Sequence, residues 1–292
     1  MATNNLDTFE HNMKILWARL QTSLYEGDPV LGMLRRTSSF TGKQRELVVM
    51  HEGTFGSSTL AKARSNAGTP QLAKFICTRH KDYSVGFLDL EALEAADGNK
   101  GSLAKLYSTS IKGAMYGISN TDLVQVWGNG GGARGQIHAD SDLTTNTIRL
   151  RNPTDSVHFG PGINLQASTD DGTGGAGVLT GETGAIVAID RDAGTLTASA
   201  AWNSLFTGLT VDSFLFRDGD YNKGLTGFHA WCPAVAPTSG DDFLGCDRSI
   251  DPVRLAGVRY EANGGDIVDA MVNFVGKHHL QGGCPQIAIV NP

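Results

Sequence analysis

The sequence predicts an α+β fold, in which helix-forming and strand-forming segments occupy separate stretches of the chain. Apolar residues recur at helical spacing between residues 99 and 127, whereas residues 144–217 carry short alternating runs separated by glycine-rich turns. The 292 residues are enough for one or two domains with a large core. We divide the chain into five regions and justify each in turn.

Residues 1–42 form a predicted N-terminal arm. Six apolar residues at steps of three and four predict an amphipathic helix over 5–24: Leu6, Phe9, Met13, Leu16, Leu20 and Leu24. Asp28-Pro29 ends that helix. The remainder is a short linker that contains Arg35 and Arg36, which are candidate assembly residues.

Residues 43–98 read as a long two-stranded hairpin with its return strand. Residues 45–50 make one arm, and residues 72–78 begin the return, which is predicted to continue through 83–88. Residues 53–70 are rich in Ser, Gly, Ala and Thr, so the tip is expected to bury little and to be mobile on its own.

Residues 99–143 hold a long helix and its exit loop. Asp97 or Asn99 can cap the helix, and Asn120–Asp122 is a candidate interruption before its end at Trp127. Its predicted apolar stripe consists of Leu103, Leu106, Tyr107, Ile111, Ala114, Met115 and Ile118. Residues 130–135 match a nucleotide-binding glycine pattern, but that site needs a strand before it and a helix after it. A helix precedes the glycines here, which favours a flexible exit loop.

Residues 144–217 predict a small inserted β module, with a compact barrel as one form. Residues 146–151 alternate with period two, and residues 185–190 and 195–198 give a hairpin signal. Residues 211–216 offer another strand.

Residues 218–292 predict an α/β region. Its first part, residues 219–257, is too irregular for a helix or a regular strand and must be held by turns and ion pairs. Asp266 can cap a last helix with the stripe Ile267, Met271, Phe274, Val275 and His278. Residues 286–290 predict a buried strand. The chain stops at Asn291-Pro292, where a further element is expected.

Charged residues in this region have two readings. Asp247, Arg248, Asp251 and Arg254 can form a catalytic carboxylate set or a structural ion-pair network. Two arginines beside two aspartates keep the acids ionised and poor as proton donors, so the network is favoured. Asp220 is predicted to cap its own turn. A calcium loop there would need glycine and glutamate where Lys223 and His229 stand.

Signals for catalysis and metal binding are weak. Gly-x-Ser-x-Gly is absent, and no spacing brings His229 to Ser249 and Asp247 or to Cys246. The candidate ligands around His138 read better as a turn, and adjacent His278 and His279 point about 100° apart on a helix. We predict no enzyme, no cofactor and no metal.

The composition disfavours some classes of binding partner. The net charge is −6 and no basic tract exists, so a dedicated DNA-binding role is disfavoured. No apolar run reaches membrane-spanning length and no signal peptide is present, which predicts synthesis in the cytosol without a membrane partner. The four cysteines form no C-x-x-C pair and predict reduced thiols, with a Cys232–Cys246 bridge as the alternative.

The order of these parts resembles the major capsid proteins of tailed phages with the HK97-like fold. Five stretches carry the resemblance: residues 28–33, 40–43, 132–137, 152–165 and 219–257. The resemblance implies hexamers and pentamers that close into an icosahedral virion around double-stranded DNA, assembled in the host cytoplasm. It also implies weak, non-specific DNA contacts, possible scaffold, portal and cement partners, and no active site.

Two departures from that family accompany the resemblance. Relatives continue beyond the position of Asn291-Pro292, and no long charged segment precedes the arm, which implies a separate scaffold or none. Three alternatives stay open. They are an encapsulin-like compartment with protein cargo, a β-rich fibre or adhesin module, and a nucleotide-binding enzyme that uses the glycine loop.

Overall fold

The computed structural model describes residues 32–33, 40, 42–85, 100–181 and 184–289. The helix predicted over 5–24, Arg35 and Arg36 lie outside these residues. Helices and strands are both present, which confirms the α+β class. The chain divides into two compact units, one built from 80–226 and the other from 39–79 with 227–292.

The first unit contains a six-stranded antiparallel sheet. Its strands are β3 (Gly135–Gln136), β4 (Thr147–Arg149), β5 (Asn164–Ser168), β6 (Gly184–Asp190), β7 (Thr195–Ala198) and β8 (Phe214–Arg217). They lie in the order β3-β8-β5-β6-β7-β4. The predicted hairpin is confirmed as β6 and β7, with a bulge between Ile186 and Ala188.

The two edges of this sheet meet. Ile137 and Leu150, just beyond β3 and β4, form an antiparallel bridge. The His138 amide donates to the Arg149 carbonyl at 2.9 Å, and the Arg151 amide donates to the Gln136 carbonyl at 2.8 Å. The sheet therefore closes into a small barrel, which removes its free edges. The barrel starts before residue 144, the predicted start of the module, because β3 supplies its closing strand.

Aliphatic side chains fill the barrel. The fully buried ones are Ile137, Ile148, Leu150, Leu165, Ile186, Leu196 and Leu215. A short helix, α3 (Trp202–Leu205), adds Trp202, which is fully buried. Its indole Nε1 donates to the Asn146 carbonyl at 2.9 Å, so the one polar atom of this large side chain is satisfied.

The long helix of the first unit is α2 (Lys100–Trp127). Ile111, Ala114, Met115 and Ile118 are half-buried, which confirms this part of the predicted stripe. The side chains of Leu103, Leu106 and Tyr107 lie outside the described part. The candidate interruption at 120–122 is wrong, since the helix continues through it. Thr121 is tolerated there because its hydroxyl donates to the Gly117 carbonyl at 2.9 Å.

The second unit contains the predicted hairpin, formed by β1 (Gln44–Glu52) and β2 (Gln71–Thr78). The tip carries a short helix, α1 (Leu60–Ser65), which the sequence reading missed. The return strand predicted over 83–88 is wrong for 83–85, which have no strand, and 86–88 lie outside the described residues.

One face of the hairpin packs against the C-terminal half of its own chain. Ala73 and Phe75 are buried against Cys246 and Leu255, with Trp231 and Phe243 alongside. The Phe75 and Trp231 rings lie 5.3 Å apart, and Trp231 and Phe243 lie 5.1 Å apart. These tilted and edge-to-face aromatic contacts hold the hairpin within the subunit, which its sparse apolar content did not predict.

Short elements complete the second unit. They are α4 (Phe228–Trp231), β9 (Asp242–Phe243), β10 (Cys246–Asp247), a 3-10 turn (Arg248–Ile250), α5 (Pro252–Ala256) and α6 (Ile267–Leu280). The Asp266 cap is confirmed, since its carboxylate accepts from the Val268 amide at 3.2 Å. The buried strand predicted over 286–290 is wrong for its described part. Residues 286–289 form no strand, and Ile287 and Ile289 are exposed.

Candidate assembly surface

Arg248 is the most buried member of the predicted ion-pair network, but its partner is Asp241. Its Nε and Nη2 both donate to Asp241 Oδ2, at 3.0 and 2.9 Å. Its Nη1 donates to the Ala230 carbonyl at 2.7 Å. The guanidinium therefore ties α4 to the turn before β9. The sequence analysis did not identify Asp241, which lies seven residues before Arg248, although the pair Asp241-Asp242 was a usable signal for an arginine partner.

Asp247 and Asp251 serve as helix caps, and of the four residues predicted to form a network, Asp251 and Arg254 alone lie within ion-pair distance of each other. Asp247 accepts from the Ser249 amide at 2.9 Å, and hydrogen bonds from Ser249 hold the pKa of Asp247 below its ordinary value. Asp251 accepts from the Arg254 amide at 3.1 Å. Short elements of this kind need caps because few of their amides have partners within the helix.

Arg254 extends from α5 to the hairpin. Its Nη1 donates to Glu52 Oε2 at 2.8 Å and to the His51 carbonyl, while its Nε lies 3.7 Å from Asp251. The Arg254 and Glu52 side chains are about 40% exposed, so water screens this pair. Together they line a cleft of about 490 Å³ whose other wall includes His278.

Asp220 was predicted to cap its own turn, but its side chain belongs instead to a charged cluster in the first unit. Its carboxylate accepts from Arg217 Nη2 at 3.0 Å and lies 3.6 Å from Arg134 Nη2. Arg134 is nearly fully buried, and its Nη1 donates to the His158 carbonyl at 3.0 Å. Burial and the neighbouring Arg217 lower the Arg134 pKa. The sequence reading missed both arginines, although Arg217 directly follows an apolar strand.

The outer face of the hairpin presents three exposed apolar side chains near its tip. Met50 and Leu72 are directly opposite each other in the ladder, and their side chains are 62% and 61% exposed. Val48 lies on the same face and is 56% exposed. An ion pair between Glu46 and Lys74, at 2.5 Å, borders this patch. We call Val48, Met50 and Leu72 the hairpin patch.

Helix α6 also presents an uncovered apolar face. Helical spacing places Val268, Met271, Val272 and Val275 on one side, and each is exposed. The adjacent flank, with Phe274 and His278, is half-buried. None of its residues is buried, so packing within the unit covers only one side of this helix. Ordinary monomers rarely leave clustered apolar surface open.

The glycine-rich exit loop is packed rather than flexible. A Cβ at Gly131 would lie 1.9 Å from the Asp171 carbonyl oxygen, and one at Gly132 would lie 2.3 Å from that of Asp220. The Gly131 amide donates to the Asn129 side-chain oxygen at 3.0 Å. A strand, β3, follows the loop, so the helix required for a nucleotide cradle is missing from this position.

Metal and catalytic groupings do not form in the described residues. No three His, Cys, Asp or Glu side chains of that part of the chain are placed to hold a metal ion. His138 Nδ1 accepts from the Asp140 amide at 3.1 Å, as a turn. His229 is exposed and makes no described hydrogen bond to Ser249, Asp247 or Cys246. All four cysteines are free thiols.

Comparison with known proteins returns nothing: no family model, no curated protein and no solved structure matches the chain. Among the helices in the described ranges, none combines the length and the apolar character needed to cross a bilayer.

Proposed function

We propose that this chain is a structural subunit that self-assembles into a closed shell, as a major capsid protein of the tailed-phage, HK97-like type. The order of elements along the chain supports the proposal, with a long hairpin, a long helix, a β-rich region and an irregular α/β region. A β-rich fibre module would not need the 28-residue helix α2.

The hairpin patch is the observation that carries the proposal. A two-stranded ribbon is marginally stable unless it packs against something else, and among the described residues the buried contacts of this hairpin lie on its inner face. Val48, Met50 and Leu72 would each gain by leaving water in contact with a second copy. The α6 face offers a second apolar surface in the same unit. Two different uncovered surfaces suit head-to-tail contacts, which generate rings.

In this proposal the rings are hexamers and pentamers of a virion that encloses double-stranded DNA. The net charge of −6 suits a wall that makes weak, non-specific contacts with the packaged polymer. Scaffold, portal and cement proteins are further proposed partners. An encapsulin-like compartment would share the shell but contain a protein cargo.

A matched pair of substitutions tests the role of the hairpin patch. Val48 and Val187 are both strand valines, 56% and 59% exposed, and they lie in different units. Val48→Lys should reduce the yield of closed particles by about tenfold or more, because roughly 1.4 kcal/mol at a repeated contact has that effect. Val187→Lys should leave the yield unchanged. Negative-stain microscopy and sedimentation velocity measure both.

The tip provides a second test. Deleting residues 53–70 should abolish closed shells and leave a folded subunit, because β1 and β2 keep their contacts with residues 230–256. Intact shells from the deletion, or equal yields for Val48→Lys and Val187→Lys, would overturn this proposal. The ratio of ultraviolet absorbance at 260 and 280 nm, measured on purified particles, distinguishes nucleic acid from protein cargo.

A further inference from the structure

The segment 286–289 of the second unit has the residue pattern of a strand but forms none. Ile287 and Ile289 alternate with Gln286 and Ala288, which places both isoleucines on one face of an extended chain. Their side chains are 62% and 53% exposed. Residues 286–289 carry no charge and make no backbone hydrogen bond to another described residue, so a strand-forming segment lies open to water.

This disagreement between local pattern and structure needs a cause. β-branched side chains fit a pleated, half-buried surface, and an exposed isoleucine gains by leaving water. When the local preference of a segment is not met within its own chain, a partner can meet it. An extended segment binds best to an existing strand with unpaired backbone groups, because main-chain hydrogen bonds then form against an ordered neighbour.

Strand β1 of the hairpin offers such an edge. In an antiparallel pair, alternate residues direct their N–H and C=O groups away from the partner strand. β1 has nine residues, and none of the described residues outside β2 makes a backbone hydrogen bond to residues 44–50. Towards the tip, the His51 carbonyl already accepts from the Arg254 side chain. The stretch 44–50 is therefore an exposed edge, which is a template for another strand.

The other strands in the described ranges do not offer an equivalent edge. The six-stranded sheet closes on itself at Ile137 and Leu150. The far edge of β2 is in use, since the Ile76 amide donates to the Leu244 carbonyl at 2.8 Å. Strands β9 and β10 have two residues each, too few to hold an added strand.

We propose that residues 286–289 add to the free edge of β1 in a second copy of this chain, as a third strand of the hairpin sheet. The segment begins near its own β1, because Gly283 and residues 50–53 line the same cleft. Its own edge nevertheless stays unpaired, so the edge of another copy is the one that remains for it. The inference rests on the proposed self-assembly and names the parts of two subunits that meet.

The added strand would gain in two ways. It would satisfy backbone groups of β1 that are otherwise left to water. In the register that places the isoleucines on the outer face, Ile287 and Ile289 lie beside Val48 and Met50 of the hairpin patch. Directly opposite side chains on one face of a sheet are about 4.5–5.5 Å apart, close enough to bury one another.

A photo-cross-linking residue at position 287 tests this contact in particles of the full chain. Equal amounts of isotope-labelled and unlabelled Ile287→p-benzoylphenylalanine chains are assembled together, irradiated and digested. We expect cross-links from residue 287 to peptides covering 44–50, joining labelled to unlabelled peptides as often as peptides of the same label. Cross-links that join only peptides of the same label would show pairing within one chain and overturn the proposal.

Proline variants give an independent test. Neighbouring amides of a strand point to opposite sides, so Ile287→Pro combined with Ala288→Pro removes a ladder donor in either register. This double variant should form about tenfold fewer closed particles. The matched control, Ile287→Val combined with Ala288→Val, keeps both amides and a strand-forming pattern, and should assemble like the wild type. Urea denaturation of the unassembled subunit should not change in either variant, because the segment is exposed within the subunit.

The outcomes separate this inference from the shell proposal. If wild-type particles form but residue 287 cross-links elsewhere, or both double variants assemble equally well, the strand addition is wrong and the shell proposal stands. A proline variant whose subunit unfolds at lower urea would show that the segment is held within its own unit, which also overturns the inference. If the wild type forms no particles, the shell proposal fails and the strand addition fails with it.

Discussion

Arg248 lies over the ring of Phe243, with its guanidinium carbon 3.9 Å from the ring centre. The same guanidinium contacts Asp241 at its edge and the Ala230 carbonyl. One side chain thus joins three segments that the hairpin covers. A planar cation can stack and donate in several directions at once, which an ammonium group cannot do.

This stacking predicts a specific sensitivity at Arg248. Arg248→Ala should lower the free energy of unfolding by about 2–4 kcal/mol, between the values for exposed and buried pairs, because Asp241 is 32% exposed. Arg248→Lys should recover only part of that loss. Urea denaturation of the full chain measures both variants. Arg254→Ala is the matched control and should cost about 0–1 kcal/mol. Equal effects at the two arginines would contradict the buried role of Arg248.

The close packing of the exit loop predicts that alanine substitutions at two glycines will change the stability in opposite directions. Gly131→Ala should be strongly destabilising, by about 2–4 kcal/mol, because the new Cβ would overlap the Asp171 carbonyl and the backbone must move. Gly113→Ala, within α2, meets nothing within 4 Å and should stabilise the protein by about 0.5–1 kcal/mol. Thermal denaturation ranks the two variants.

The same measurement on the wild-type protein tests the nucleotide-binding hypothesis. A melting temperature that rises when ATP or NAD is added would support that hypothesis.

The environment of Asp170 predicts that the loop around it becomes less stable in acid. Burial opposes its ionisation, but hydrogen bonds from Ala176, Gly172, Tyr221 and Ser168 outweigh burial and hold the pKa of Asp170 below 3.8. A depressed pKa stabilises the folded state above the ordinary pKa, and this is lost as the pH falls through the lower value.

Once corrected for the intrinsic exchange rate, exchange of the 168–177 amides should therefore increase as the pH falls below 3.8. In Asp170→Asn the same amides should exchange faster at neutral pH and lose that acid dependence. Asp192→Asn, which changes an aspartate at an exposed turn of the same unit, serves as the control. If exchange of these loop amides in the wild type does not depend on pH in this acidic range, the Asp170 carboxylate does not order the loop.

The exposure of the cysteines and the pKa of Cys246 predict the order in which these thiols react with an alkylating reagent. Burial, and then the charge of Asp247, raise the pKa of the Cys246 thiol, so its reactive thiolate is scarce. Cys232 and Cys284 are exposed. Iodoacetamide should modify these two first, and Cys246 only after unfolding, as peptide mass spectrometry can show. Recovery of Cys232 joined to Cys246 without reduction would support the alternative bridge instead.

Several elements could be predicted because their signals are local. The arms of the hairpin, the β6–β7 turn and the Asp266 cap each depend on residues close in sequence, and all three are confirmed. Helix α2 was predicted from its spacing, but its continuation through Thr121 was not. That continuation depends on Gly117 and on arginines contributed by distant parts of the chain.

The candidate assembly surface likewise has some features that the sequence predicts and others that it does not. The sequence by itself determined that residues 219–257 need ion pairs and caps, because short irregular elements leave backbone groups without partners. Only the tertiary structure decided that Arg248 pairs with Asp241, that Arg217 pairs with the distant Asp82, and that the bridge at Ile137 closes the barrel. It also decided that Ile287 and Ile289 stay exposed. Burial and partner choice depend on which distant segments the chain path brings together, and periodicity within one segment carries no record of that path.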